Sequence, residues 1–329
     1  MVVKVRVYGK RQWVTRPPTN VRIDYPLKYA KIKISNPNSY DLNNYQVRID
    51  LTDVINTYGK GKIVIYDDSG NIIPFAYEKS NGEVTPNYSE WDTNCVWVKV
   101  PNIPANGEIT LNLAYCLSDY ATTGDNIFDF YDDFTTNTLG TVWSEYPYAG
   151  GSDPVISNGV LDMNNVDDYV YADIGNWKDV VVELKTKPIN VSSGYGVGHF
   201  LFYSDLGITD TWAENQFIWS AYRWDSTEGK VFSWYDTDYH NVGSWDFNVW
   251  YILKYEIHKD TGTFKWFIYD TNWNLLYQEL NGNARDNTGT YIKYIAFIGN
   301  SSVSDDHFQV DWVRVRKYAD QEPTVSLIL

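Results

Sequence analysis

The sequence predicts an all-β protein of two domains, an N-terminal β-sandwich and a larger two-sheet jelly roll. Three observations carry that expectation: 28 Tyr and 14 Trp among 329 residues, short apolar runs alternating with period two, and Gly, Asn or Asp clusters between those runs. No stretch shows the periodicity of a long amphipathic helix. The length suits two domains, each with chain enough to bury a core.

Taken in order, the first 22 residues hold six Lys or Arg and no acid. Val3, Val5 and Val7 alternate there until Pro17-Pro18 stops the run. This reads either as an edge strand protected by charge or as an arm through which residues 1–18 join a second copy of the chain. Further strands are expected at 29–34, 45–51, 63–66, 96–100 and 109–115, with Asp67-Asp68-Ser69-Gly70-Asn71 as a turn. Six or seven strands in this length make a β-sandwich of residues 1–125.

The small, polar stretch 118–124 marks the boundary, and the aromatic and acidic run from Phe128 to Phe134 opens the second domain, 126–320. Strands are expected at 159–162, 169–172, 180–186, 199–203, 216–224, 230–235, 250–258, 263–269, 292–299 and 308–316. So many short strands suit a jelly roll. Residues 321–329 read as a tail.

Cys95 and Cys116 flank the runs 96–100 and 109–115. If those runs pair with Val100 opposite Leu111, Cys95 falls opposite Cys116 and a cross-strand disulfide follows, implying an oxidising compartment. Two buried free thiols are the alternative.

Net charge is −15, and it is unevenly placed. Residues 1–125 carry 14 basic and 13 acidic groups, whereas 126–329 carry 13 and 29. The acidic half repels phosphates, so nucleic acid is excluded as its partner. No apolar run follows Met1, and none approaches the roughly 20 residues of a membrane span. Membrane insertion is not expected, and the surface of a cell or virion is the setting that fits best.

Between Trp212 and Tyr251 the chain places 13 aromatics in 40 positions, threaded with Arg223, Asp225, Lys230, Asp236, Asp238 and His240. Sugars present apolar C–H faces to rings and hydroxyls to charged groups, so this mixture suits a glycan-binding wall. If Ser226 to Gly229 turns a hairpin, Trp219 lies across from Asp236 and Arg223 across from Phe232, with Trp234 on the same face. The expected ligand-binding residues are then Trp219, Arg223, Trp234, Asp236 and Asp238, with Ile218, Tyr222 and Tyr235 facing inward. Asp236-Thr237-Asp238 would set two carboxylates on one side of a strand, for cation or hydroxyl binding or for acid–base work.

Several segments resemble a known family. Ile34-Ser35-Asn36-Pro37-Asn38, Leu42 to Val47, Tyr66 to Gly70 and Val96 to Gly107 are similar to the domain of unknown function 2341 over roughly residues 25–130. Asp132-Asp133-Phe134 often follows that module, and Tyr115-Cys116 stands where the family usually has Tyr-Gly. The resemblance implies an archaeal or bacterial surface protein and no particular activity.

The second half resembles the concanavalin A-like lectin/glucanase superfamily through Asp133-Phe134 with Trp143, Gly159-Val160-Leu161 and Val310 to Val315. That resemblance implies a jelly roll with a sugar ligand, as lectin or hydrolase. It also implies a structural calcium at Asp311, to which Asp132, Asp133, Asp305 and Asp306 would add oxygens. Retaining glucanases of the superfamily carry Glu-x-Asp-x-(x)-Glu. Residues 126–329 hold no Glu followed by Asp two positions on, and Glu90-Trp91-Asp92 lies in the other half.

The expectation is therefore a non-catalytic, lectin-like recognition protein for a glycan or glycosylated surface protein. Its rivals are a structural subunit of a particle, fibre or pilus, and a hydrolase with a displaced acid pair.

Overall fold

The computed structural model describes residues 6–7, 10–11, 29–146, 153–164, 169–190, 197–208, 215–225, 227–299 and 307–329. The expected joining segment 1–18 lies almost wholly outside them, as do Asp305 and Asp306. Two compact units divide the chain: residues 1–128 with 319–329, and residues 129–318.

The first unit has two four-stranded antiparallel sheets. One runs Thr324–Ile328, Tyr29–Ser35, Glu108–Tyr115, Ile63–Tyr66; the other runs Leu42–Asp50, Cys95–Ile103, Phe75–Glu78, Val84–Thr85. Alternation decides which side chains fill the space between them: Ala30, Ile32 and Ile34 from one sheet meet Tyr45, Val47, Val96 and Val98 from the other. The turn at 67–71 forms as expected, with the Asp67 carboxylate accepting the N–H groups of Ser69 and Asn71 and with Gly70 at φ 85°.

Two expectations are corrected here. Cys95 and Cys116 are free thiols. Their strands are consecutive but belong to opposite sheets: Cys95–Ile103 pairs with Leu42–Asp50 and Phe75–Glu78, whereas Glu108–Tyr115 pairs with Tyr29–Ser35 and Ile63–Tyr66. The Pro104 to Gly107 turn crosses between sheets instead of folding a hairpin, so the register proposed for the disulfide never arises. Burial pushes the Cys95 thiol up to about 11, with Glu78 and Asp50 adding to the shift and Arg48 opposing it.

Nor is 321–329 a tail. Val325 and Leu327 pack on the first unit's core while Thr324–Ile328 pairs with Tyr29–Ser35, Val325 opposite Ile34. Upstream of that strand, Asn38 accepts from the Gln321 N–H, and Tyr45 donates to Glu322 at 2.8 Å.

The second unit is a larger two-sheet sandwich. Its seven-stranded sheet runs Ser144–Tyr146, Tyr169–Trp177, Ile292–Ile298, Val197–Ser204, Gln216–Asp225, Gly229–Tyr235, Tyr239–Ser244. Its eight-stranded sheet runs Val155–Ser157, Val160–Asn164, His307–Lys317, Asp179–Asn190, Tyr251–His258, Thr263–Tyr269, Leu275–Asn283, and Phe130–Asp132 also pairs with His307–Lys317. The inner faces meet in a dry core that includes Phe200, Phe202, Tyr222, Phe232 and Trp234 from one sheet and Val182, Leu184, Tyr255, Trp266 and Val313 from the other. At one end the edge strands meet where the Tyr277 ring lies over Gly243, so close that a Cβ there would sit 2.2 Å from the ring.

Candidate functional site

The hairpin joining Gln216–Asp225 to Gly229–Tyr235 decides which aromatics face outward. Asp225 pairs with Gly229, leaving a three-residue loop whose Thr227 and Glu228 N–H groups donate to the Asp225 carboxylate. Gly229 takes φ 81°, a conformation that disfavours residues with a Cβ. The strands therefore pair Arg223 with Val231, Tyr222 with Phe232 and Ser220 with Trp234. That register is one residue away from the expected one, and a one-residue slip exchanges the faces of one strand relative to the other.

The expected constellation is consequently split. Trp234 belongs to the inner core, 3% exposed, with its ring against Phe264 at 5.3 Å and capped by the stacked His240 imidazole at 4.1 Å. Trp219 and Arg223 stay on the outer face, joined there by Tyr235, which had been expected to face inward. Asp236 and Asp238 are not on a strand; they form the turn between Tyr235 and Tyr239. The Asp236 carboxylate accepts the Asp238 N–H at 3.1 Å and pairs with His240 at 3.0 Å. These contacts outweigh burial and hold it below the usual carboxylate range.

The outer face of this sheet is a tyrosine surface. Leu201, Tyr203, Trp219, Ala221, Ala296, Ile298 and Tyr169 form its buried floor. Tyr146, Tyr171, Tyr235 and Tyr294 pack on that floor while remaining partly exposed. Trp219 is only 3% exposed because Tyr235 and Tyr239 lie edge-on against it at 5.8 and 5.5 Å. Tyr239 is the most open of the group at 38%, and the Arg223 guanidinium stacks on its ring at 3.8 Å. Arg223 is also paired with Asp225 at 3.1 Å.

A hydrogen-bonded chain runs along the floor. Arg285 Nη1 donates to Gln216 Oε1 at 2.9 Å, and Gln216 Nε2 donates to the Tyr203 hydroxyl at 2.9 Å. That hydroxyl is also bonded to Tyr169, and burial drives the Tyr203 phenol well above its ordinary pKa. The segment carrying Arg285 is anchored by its own backbone, Arg285 N–H to Phe217 O and Asp286 N–H to Gln216 O, each 3.0 Å. Gln216, Tyr203, Tyr169, Tyr239 and Arg285 were missed in the sequence. Only the aromatic density near Tyr239 signalled anything.

The expected calcium ligands sit elsewhere. Asp132 accepts from Trp143 Nε1 at 2.7 Å, Thr138 Oγ1 at 2.9 Å and Phe134 N at 2.8 Å. Burial still lifts its pKa. Asp133 accepts from Thr135, and Asp311 from Lys185 Nζ at 2.6 Å. Among the described residues no three His, Cys, Asp or Glu gather as a metal site.

The Cys95–Ile103 strand, the crossing turn after it and the buried Asp132 cap all lie within one stretch that matches a known family model. Residues 59–146 match DUF2341, a domain of unknown function. The DUF2341 match begins inside the first unit and ends at Tyr146 on the edge of the second unit's seven-stranded sheet. No curated protein matches the chain. Among solved structures, the chain is similar to a xylan beta-1,4-xylosidase from Bacillus halodurans, with 14% identity, 62% of this chain and 41% of that one covered, and TM-score 0.42. It is also similar to the Lotus tetragonolobus seed lectin, with 13% identity, 61% and 99% coverage and TM-score 0.42. Peanut lectin gives 12%, 61% and 97%, and 0.41. The chain thus spans less than half of the xylosidase and nearly all of each lectin chain.

Proposed function

We propose that the second unit is a non-catalytic glycan-binding module and that the outer face of its seven-stranded sheet is the binding surface. One observation carries this reading: Tyr235, Tyr239 and Arg223 stand together, partly exposed, on an outward sheet face whose floor is already closed by Trp219 and its neighbours. Phenol rings offer a flat apolar platform with a polar rim, which suits a pyranose better than it suits water.

The chemistry of the nearby carboxyls supports binding without cleavage. Asp225 and Asp236 are both held below the usual carboxylate range, by backbone donors above all for Asp225 and by donors that outweigh burial for Asp236. A general acid for glycoside cleavage needs the opposite shift. A setting at the surface of a cell or virion belongs to the same proposal; the unformed disulfide lends it no support. Screening the full chain on a glycan array, beside Tyr239→Ala, tests the reading. Binding lost in the variant is expected, and release of reducing sugar from any bound glycan would replace it with the hydrolase.

A structural-subunit reading has its own observation. Among the described residues nothing pairs with the outer edge of Thr324–Ile328, the last strand of its sheet. The alternating Val3, Val5 and Val7 of a second copy supply a strand for such an edge. Concentration-dependent assembly that disappears on deleting residues 1–18 is the expected outcome if this edge joins subunits.

A further inference from the structure

Four arginines lie in the second unit, and three have a carboxylate within ion-pair distance: Arg223 has Asp225, while Arg314 and Arg316 share Glu183. Arg285 has none among the described residues. Its neighbours are a tyrosine ring at 4.9 Å, that of Tyr235, and the neutral amide of Gln216. Among the described residues the buried Nε–H has no acceptor. In a half of the chain holding 29 acidic and 13 basic residues, a half-buried cation without a counter-charge is out of keeping with its surroundings.

Desolvation is the leading influence on this guanidinium, with only the phenols of Tyr235, Tyr239, Tyr203 and Tyr169 opposing it. A guanidinium does not give up its proton, so the unmet demand is for an anion. Arg285 cannot swing away to find one cheaply, because its backbone is fixed to Phe217 and its Nη1 to Gln216.

We infer that the glycan bound on this face carries a carboxylate, as a uronic acid does, and that Arg285 is the residue that selects for it. With Nη1 held by Gln216 and Nε buried, Nη2 is the donor left to meet a carboxylate, while the Tyr235 ring beside it receives the sugar's C–H face. This rests on the glycan-binding reading above and adds the charge of the ligand to it. Its consequence is a protein that prefers an anionic polysaccharide despite its own net charge of −15.

The test is calorimetric titration of the full chain with tetrasaccharides of galacturonic, mannuronic and glucuronic acid, each beside its neutral counterpart and a sulfated neutral one. At least one uronate is expected to bind tenfold or more tighter than its neutral form, with the gap narrowing in high salt. Arg285→Gln should abolish that gap, and Arg285→Lys should restore part of it. Equal affinity for charged and neutral forms in the unaltered protein, or a sulfated sugar bound as tightly as any uronate, overturns the inference while the glycan reading stands. No binding of any sugar brings down both. A preference for uronate that survives in Arg285→Gln assigns the selectivity to another residue and contradicts the role given to Arg285.

Discussion

The two sheets of the second unit present outward faces built on opposite plans. On the eight-stranded sheet the outward side chains are charges interleaved with rings, and the charges answer one another across neighbouring strands. Glu183 stands between Arg314 and Lys254 in the ladder, with Arg314 Nε at 2.5 Å and Arg316 at 3.7 Å. Lys185 meets Asp311 at 2.6 Å, and Glu256 takes both Lys254 at 2.8 Å and Lys265 at 3.2 Å. The Arg314 guanidinium is further bracketed by the rings of Trp312 and Trp273 at 4.7 and 5.3 Å. On the seven-stranded sheet the outward face is tyrosine, and the half-buried Arg285 beside it has no acid within ion-pair distance among the described residues. Charges that pair with one another leave no net charge for a ligand to answer. A face that leaves rings half-covered and a charge unanswered does.

The largest effect that would break this contrast lies in the closed network. Glu183→Gln removes the carboxylate that the buried Arg314 and Arg316 share and is expected to cost about 3–5 kcal/mol in denaturant unfolding, without altering glycan binding. A cost below about 1 kcal/mol would show the network to be ornamental. Acid sharpens the same point. Burial acts to raise the Glu183 carboxyl, but Arg314, Arg316 and Lys254 overcome it and bring it down to about 2. A carboxyl lowered on folding stabilises the fold fully above its unfolded value of about 4.5 and loses that contribution as pH falls toward 2. The unfolding midpoint should therefore drop through that window in the native chain, and less steeply in Glu183→Gln.

On the open face, Tyr235→Ala is expected to weaken glycan binding by about 2 kcal/mol, some thirtyfold, and to leave the unfolding free energy within about 1 kcal/mol of the native chain. The smallest effect concerns the thiols. Since Cys95 and Cys116 sit in different sheets, adding a reductant should not move the thermal midpoint, and burial makes Cys95 slow to alkylate at neutral pH.

Much of the fold is legible because strands announce themselves through alternation. The segments 29–34, 63–66, 109–115 and 263–269 all stand as strands at nearly those bounds, and 180–186 lies within the longer strand Asp179–Asn190. What alternation does not encode is the partner. The runs on either side of Pro104 to Gly107 look like a hairpin, yet they enter different sheets. Phase is equally silent, since the hairpin after Asp225 closes over three residues instead of four. That single residue sends Trp234 inward and brings Tyr235 out.

The candidate site suffered most from this. Trp219 and Arg223 lie on the face expected of them, Trp234 lies on the opposite one, and Asp236 and Asp238 form a turn. Arg285 gave no signal at all: it sits in a polar loop, and its meaning comes from Gln216, 69 positions away. The last strand was readable in Val325 and Leu327, but a five-residue alternation beside a chain end looks the same whether or not a sheet edge awaits it.

The central claim is that the two faces of the seven-stranded sheet divide labour, the outer one for ligand and the inner one for stability. Measuring glycan affinity and unfolding free energy together for Tyr239→Ala and Trp234→Ala tests it most directly. The account predicts that Tyr239→Ala loses affinity at nearly native stability, whereas Trp234→Ala loses about 3–5 kcal/mol of stability and, while still folded, binds with native affinity. Native affinity in Tyr239→Ala, with binding abolished in a folded Trp234→Ala, would contradict it.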